Sequence, residues 1–148
     1  MSNLHTDAWL LRGISSIPGE LSLRSEVLSF VASGSGSAWP FQLRKLGELF
    51  QQPALQAELN AGHTVPLFAW PVREISASIP WYYFAGGITL QRRGVLVRLG
   101  FGRPVDAGRV PGQSMEGLAE VGAARKRGKL WASALTEAAR PYDGGQEA

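Results

Sequence analysis

Cysteine is absent from the 148-residue chain, and histidine occurs only twice. The first absence excludes disulfide scaffolds, Cys-based zinc sites and Cys nucleophiles. The second leaves little for a His-rich metal centre. Charge is scarce as well. Asp, Glu, Lys and Arg make up 18% of the residues, below the usual quarter, while 45% are hydrophobic. Intrinsic disorder needs the opposite balance. No apolar run approaches the ~20 residues that cross a bilayer as a helix, so no transmembrane segment is expected. Met1 to His5 lacks the basic-then-apolar layout of a secretory leader. A location in the cytoplasm, or peripheral at a membrane, is therefore expected. The length suits one domain able to bury its own core.

Familiar catalytic motifs are missing too. Gly112-Gln113-Ser114-Met115-Glu116 misses the Gly-x-Ser-x-Gly elbow by its last residue. Ser114 reads better as a helix N-cap. Gly100-Phe101-Gly102 has no third glycine at the dinucleotide spacing and opens no helix. His5 falls in an expected arm and His63 in a glycine-flanked loop, without further metal ligands at a suitable spacing. No catalytic residue, cofactor or metal site is expected, and the chain reads as a non-enzyme.

What is present is patterned. Ala8 to Arg12 is a short apolar run, and Glu20 to Arg24 alternates strictly, with Leu21 and Leu23 on one side. Ser25-Glu26 suits a tight hairpin turn before Val27 to Val31, where Leu28 and Phe30 share a face. Pro18-Gly19 reads as an earlier turn. Three successive antiparallel strands are expected over residues 8–33, ended by a flexible Gly34-Ser35-Gly36-Ser37. The period then changes. Leu43, Leu46, Leu49, Phe50, Leu55 and Leu59 step by three and four, and Pro53 divides them into helices near 41–51 and 53–60. Strand character returns from Thr64, where Pro66 and Pro71 point to an edge or bulged strand. An aromatic strand at Trp81-Tyr82-Tyr83-Phe84 and a hairpin of Ile88–Gln91 with Val95–Phe101 follow, turning at Arg93-Gly94. Leu118, Val121, Ala124, Gly128, Trp131 and Leu135 form one apolar stripe of a final helix, about 114–139. Gly128 is suited to a close approach between that helix and the sheet. Residues 1–7 are expected as a flexible arm, 8–139 as a single domain and 140–148 as a disordered tail.

This order of elements resembles the pleckstrin-homology-like superfamily, and within it the GRAM-like branch of small barrels. The resemblance is carried by Ile17-Pro18-Gly19-Glu20-Leu21-Ser22-Leu23 with Leu28-Ser29-Phe30, and by Val72-Arg73-Glu74-Ile75. Thr89-Leu90, Gly94, Leu99-Gly100-Phe101 and Gly128-Lys129-Leu130-Trp131 extend it. It implies an α+β fold, a seven-stranded antiparallel barrel or sandwich capped by the C-terminal helix. The helical insertion, about 39–61, is long for that family. It also implies a non-catalytic binding or adaptor module whose main partner is another protein. Small-ligand binding or an enzyme pocket inside the barrel is a further alternative. The phosphoinositide cradle of the wider superfamily places several Lys and Arg around the first hairpin. Here only Arg12 lies near it.

Positive charge is concentrated instead near the end. Arg92 to Lys129 holds nine Lys and Arg against three acids, a surplus of +6, so the remainder is about −3. Arg92, Arg93, Arg125, Lys126, Arg127 and Lys129 are the candidate phosphate or anionic-lipid contacts. A helix committed to closing a barrel cannot enter a DNA groove, so no specific nucleic acid is expected. Trp81, Tyr82, Tyr83 and Phe84 are the candidate interaction surface. On a strand, neighbouring side chains point to opposite faces, so one pair faces away from the core.

Overall fold

A computed structural model of the chain describes residues 3–12, 15–78, 87–101 and 115–138; for 12 and 115–121 the description is confined to the backbone. Strands β1 (Leu4–Arg12), β2 (Ser15–Arg24) and β3 (Val27–Ala32) form an antiparallel meander. Alternation sets its faces. Leu10, Ile17, Leu21, Leu23, Leu28 and Phe30 are buried on one side, while the Ser22 and Ser29 hydroxyls bond at 2.8 Å on the other. Ser25 and Glu26 turn the β2–β3 hairpin in the left-handed region, at φ 50° and 63°.

Three local expectations change here. β1 begins at Leu4, inside the expected arm, because residues 4–7 pair with Leu23 through Glu20 of β2. Pro18 and Gly19 lie within β2 rather than in a turn. Gly19 is required there because a Cβ would stand 2.5 Å from both the Phe30 ring and the Val31 carbonyl. The Ser33–Ser37 segment is pinned, not flexible. Its Ser33 and Ser37 amides donate to the Pro18 and Ser16 carbonyls at 2.9 and 3.0 Å. The Ser16 amide donates in return to Ser37 Oγ at 2.9 Å.

Helices α1 (Pro40–Leu49) and α2 (Leu55–Asn60) form the insertion. Pro53 precedes α2 rather than occupying its first turn. Leu43, Leu46, Leu55 and Leu59 are buried, as their spacing requires. Phe50, at the end of α1, stacks on Phe68 with ring centroids 5.8 Å apart. The next strand, β4 (Val65–Pro71), is both an edge and bulged, as its prolines suggested. The bulge lies between Phe30 and Val31 of β3 and switches the inward face of β4, so that Phe68 and Trp70 are buried and Ala69 is exposed.

A single 3-10 turn, Val72–Glu74, leads from β4 into the short β5 (Ser76–Ser78). β6 (Gly87–Arg92) and β7 (Val95–Gly100) complete one seven-stranded antiparallel sheet, in the order β4-β3-β2-β1-β7-β6-β5. The expected α+β class, with a seven-stranded antiparallel sheet and helices, is what is observed. The aromatic segment 81–84 lies outside the described residues, and β5 falls earlier, on three exposed small residues.

The sheet is open in its hydrogen bonding yet must curl. Laid flat, its edge strands would stand about 29 Å apart at ~4.8 Å per strand. The chain from Pro71 to Ser76 spans at most about 18 Å. The curl is seen directly where Arg92 of β6 lies 5.6 Å over the Trp70 ring of β4, although the two strands are far apart in the sheet order.

Helix α3 (Met115–Ala138) packs on β5, β6 and the 3-10 turn. Its described stripe, Ala124, Trp131 and Leu135, is buried. Trp131 stacks on Phe101 at 6.2 Å with the rings 12° from parallel. Gly128 lies buried close to β6, at a distance that would also admit a methyl group. A Cβ there would meet the Gly87 backbone at 3.5 Å. The expected N-cap at Ser114, the side chains of Leu118 and Val121, and the 140–148 tail lie outside the described residues. No described helix is long and apolar enough to cross a membrane.

Candidate functional site

The six basic candidates divide into two groups with different work. Arg92 and Arg93 stand at the β6–β7 turn, where Arg93 takes φ 48° and Gly94 φ 83°. Both reach Glu74 of the 3-10 turn. Arg92 donates from Nε at 2.9 Å and from Nη2 at 2.7 Å to Glu74 Oε1. Arg93 Nη2 approaches the same oxygen at 3.2 Å. The Arg92 and Glu74 side chains are 23% and 31% exposed. Charge-assisted bonds of this kind contribute roughly 1–3 kcal/mol when partly buried. Their role is to fasten the β4–β5 corner to the β6–β7 hairpin, with Trp70 stacked beneath the Arg92 guanidinium. Two guanidiniums on one carboxylate leave this corner only weakly positive.

Arg125, Lys126, Arg127 and Lys129 lie on α3. Arg127 is the half-buried one. Its Nη2 donates to the Phe101 carbonyl at 2.6 Å, where β7 ends. Its buried Nε has no hydrogen-bond partner among the described residues. It therefore ties the helix to the sheet. Arg125, Lys126 and Lys129 are exposed and have no ion-pair partner among the described residues. Leu130 lies beside them at 54% exposure, while its neighbour Trp131 is 1% exposed. One helix thus carries a buried apolar stripe and, on its solvent side, Lys126 next to the exposed Leu130, with Lys129 and Arg125 toward one edge of the stripe. No hydrogen bond, ion pair or ring contact joins Arg92 or Arg93 to the α3 cations among the described residues.

Three further features were not singled out as sites from the sequence. Trp39, Phe41 and Leu49 are exposed at 61%, 50% and 41%, with the exposed Arg44 and Lys45 between them on α1. The signal was present, since Phe41, Lys45 and Leu49 recur every four residues on one line of the helix. The stronger Leu43–Leu46 stripe hid it. On the outer face of the sheet, Leu96 is 46% exposed. Leu11, two residues away across the β1–β7 register, and Trp9 are half-buried. Both histidines are committed to surface pairs. His63 Nδ1 is 2.6 Å from Glu58 Oε2, and His5 faces Glu20.

Among the described residues no three His, Asp or Glu side chains converge into a metal-sized cluster. Trp81, Tyr82, Tyr83 and Phe84, the candidate interaction surface, lie outside the described residues. The chemistry these surfaces can perform is contact: cations beside exposed apolar side chains, on helices held by their opposite faces. No family model matches the chain, and no curated protein or solved structure matches it either.

Proposed function

We propose that the chain is a non-catalytic binding module that docks through the outward face of α3 onto an anionic membrane surface. The observation that carries this reading is the exposed set Arg125, Lys126, Lys129 and Leu130 on the solvent side of a helix whose other stripe is buried in the core. A helix held by Trp131 and Gly128 keeps the backbone under those charges in place, so no helix ordering has to accompany docking. Each cation near an anionic leaflet contributes about 1 kcal/mol. Three of them give a weak, salt-sensitive attraction, to which Leu130 adds apolar contact. Affiliation to the pleckstrin-homology-like, GRAM-like group belongs to the same proposal. It is supported by the seven antiparallel strands, the corner between β4 and β5, and the C-terminal helix on the sheet.

Sedimentation with vesicles tests the reading. Binding is expected to phosphatidylcholine–phosphatidylserine vesicles and not to phosphatidylcholine alone. It should weaken with added salt and disappear in a Lys126→Glu/Lys129→Glu variant that melts like the native chain. Equal sedimentation with both vesicle types, or with neither, refutes it.

A protein partner is the second reading, favoured by the apolar patch of Trp9, Leu11 and Leu96 on the outer sheet face. If it holds, Leu96→Asp, at a position 46% exposed, abolishes retention of proteins that the native chain captures from a lysate. An unchanged set of captured proteins would sink it.

A further inference from the structure

The outward face of α1 is a second apolar surface on a helix whose first is already used. Leu43, Leu46 and Gly47 face the core, and Phe50 stacks on Phe68 and meets Trp70 at 6.2 Å with the rings tilted 41°. The α1–α2 turn is tight. The Gln52 amide donates to the Gly47 carbonyl at 2.6 Å, and a Cβ on Gly47 would stand 2.6 Å from the Gln52 carbonyl oxygen. The helix is therefore fixed, and the fold does not require Trp39, Phe41 or Leu49 to be apolar.

We infer that Trp39, Phe41 and Leu49 form an apolar anchor that enters the interfacial layer of an anionic bilayer, with Arg44 and Lys45 meeting its headgroups. This rests on the reading that α3 docks on such a surface, and it assigns the second attachment point. The charge on this face is weakly positive. α1 has no acidic residue in its first turn, so the positive end of its dipole is uncompensated. Arg44 and Lys45 add to it, exposed and without an ion-pair partner among the described residues, while the exposed Glu48 on the same face offsets one of them. Area points the same way. Three side chains, each about half exposed, offer roughly 300 Å². That is well short of the ~800 Å² per partner of a stable protein interface. A Trp-Phe-Leu set flanked by Arg and Lys is the composition of helices that lie in the interface. Placement agrees, because α2 packs on β4 while α3 packs on the 3-10 turn and β5. Both helical units thus flank the β4–β5 corner. A few surface cations alone hold a protein to a membrane only marginally, and stable attachment takes two signals.

The absence of native cysteine makes the test direct. A Phe41→Cys variant carries an environment-sensitive fluorophore and is titrated with vesicles of equal parts phosphatidylcholine and phosphatidylserine. Emission should shift to the blue and strengthen, with no change on phosphatidylcholine alone. The same label at Asp7→Cys, exposed on β1, the central strand and three strands from either sheet edge, should stay unchanged. Trp39→Ser/Phe41→Ser, melting like the native chain, should bind the anionic vesicles at least roughly tenfold more weakly. Protein that sediments with vesicles while the label at 41 stays in water overturns the anchor and leaves the α3 reading standing. No sedimentation at all overturns both. A blue shift that follows protein concentration without vesicles assigns the face to a second copy of the chain and overturns the anchor.

Discussion

Trp131 and Leu130 are adjacent in sequence and opposite in consequence, and truncating each in turn tests how α3 is docked. Trp131 is 1% exposed and stacked on Phe101 at 6.2 Å. Replacing it by alanine removes the indole and leaves a cavity lined by Phe101 and the sheet. Buried aromatic truncations of this kind cost about 3–5 kcal/mol. For a domain of this size that lowers the melting temperature by roughly 6–20 °C. With a urea m-value of about 2 kcal/mol/M, it moves the midpoint down by roughly 1.5–2.5 M. Leu130 is 54% exposed, so Leu130→Ala should stay within about 0.5 kcal/mol of the native chain. Equilibrium urea unfolding followed by far-ultraviolet circular dichroism measures both variants, without complication from thiol chemistry. A Trp131→Ala midpoint within about 0.25 M of native would refute the docking of α3. So would a larger loss for Leu130→Ala, which would mean that the helix presents its other face to the sheet.

Further tests address the corners of the fold. Gly36→Ala places a Cβ 2.2 Å from the Ser16 carbonyl oxygen at φ 56°, whereas Gly62→Ala meets nothing within 4 Å at φ 83°. Thermal melts should show Gly62→Ala losing about 1–2 kcal/mol, the left-handed backbone cost alone, and Gly36→Ala losing clearly more; equal losses would contradict the pinned 33–37 segment. Glu74→Gln removes the charge that Arg92 and Arg93 share. It should cost about 1–2 kcal/mol in low-salt denaturation and less at high salt, and a neutral or stabilising effect would argue against Glu74 as the fastening of the corner. Ser25→Asn with Glu26→Gly suits the turn, since both residues now hold positive φ. The pair should raise stability by about 1 kcal/mol, because the Arg73–Glu26 contact it removes is long, at 3.7 Å, and exposed. A loss of stability would mean that contact matters more than the strain.

Local pattern made much of the fold legible, and contacts between distant segments made the rest illegible. The β2–β3 and β6–β7 hairpins, the two-part helical insertion and the buried stripe of α3 all follow from periodicity and turn chemistry within a few residues. β5 had no such signal, because Ser76, Ala77 and Ser78 are all exposed and show no alternation. It is a strand only because Gln91, Leu90 and Thr89 of β6 offer it a ladder. Likewise Leu4 to Asp7 become a strand through β2, and the serine–glycine segment is ordered by hydrogen bonds to Pro18 and Ser16.

The basic candidates show the same division. Composition alone established a cysteine-free domain with its positive surplus between Arg92 and Lys129. Helical periodicity puts Lys126 opposite the buried stripe, and the folded chain has it exposed. Which charges remain free was decided only by tertiary structure. Glu74 lies 18 residues from Arg92, and Phe101 lies 26 residues from Arg127. Those pairs exist because the sheet curls and α3 lies across it. Charge is a property of the residue and can be read along the chain. Availability depends on the partners that folding brings within hydrogen-bond reach, a few ångströms, and no local pattern encodes that.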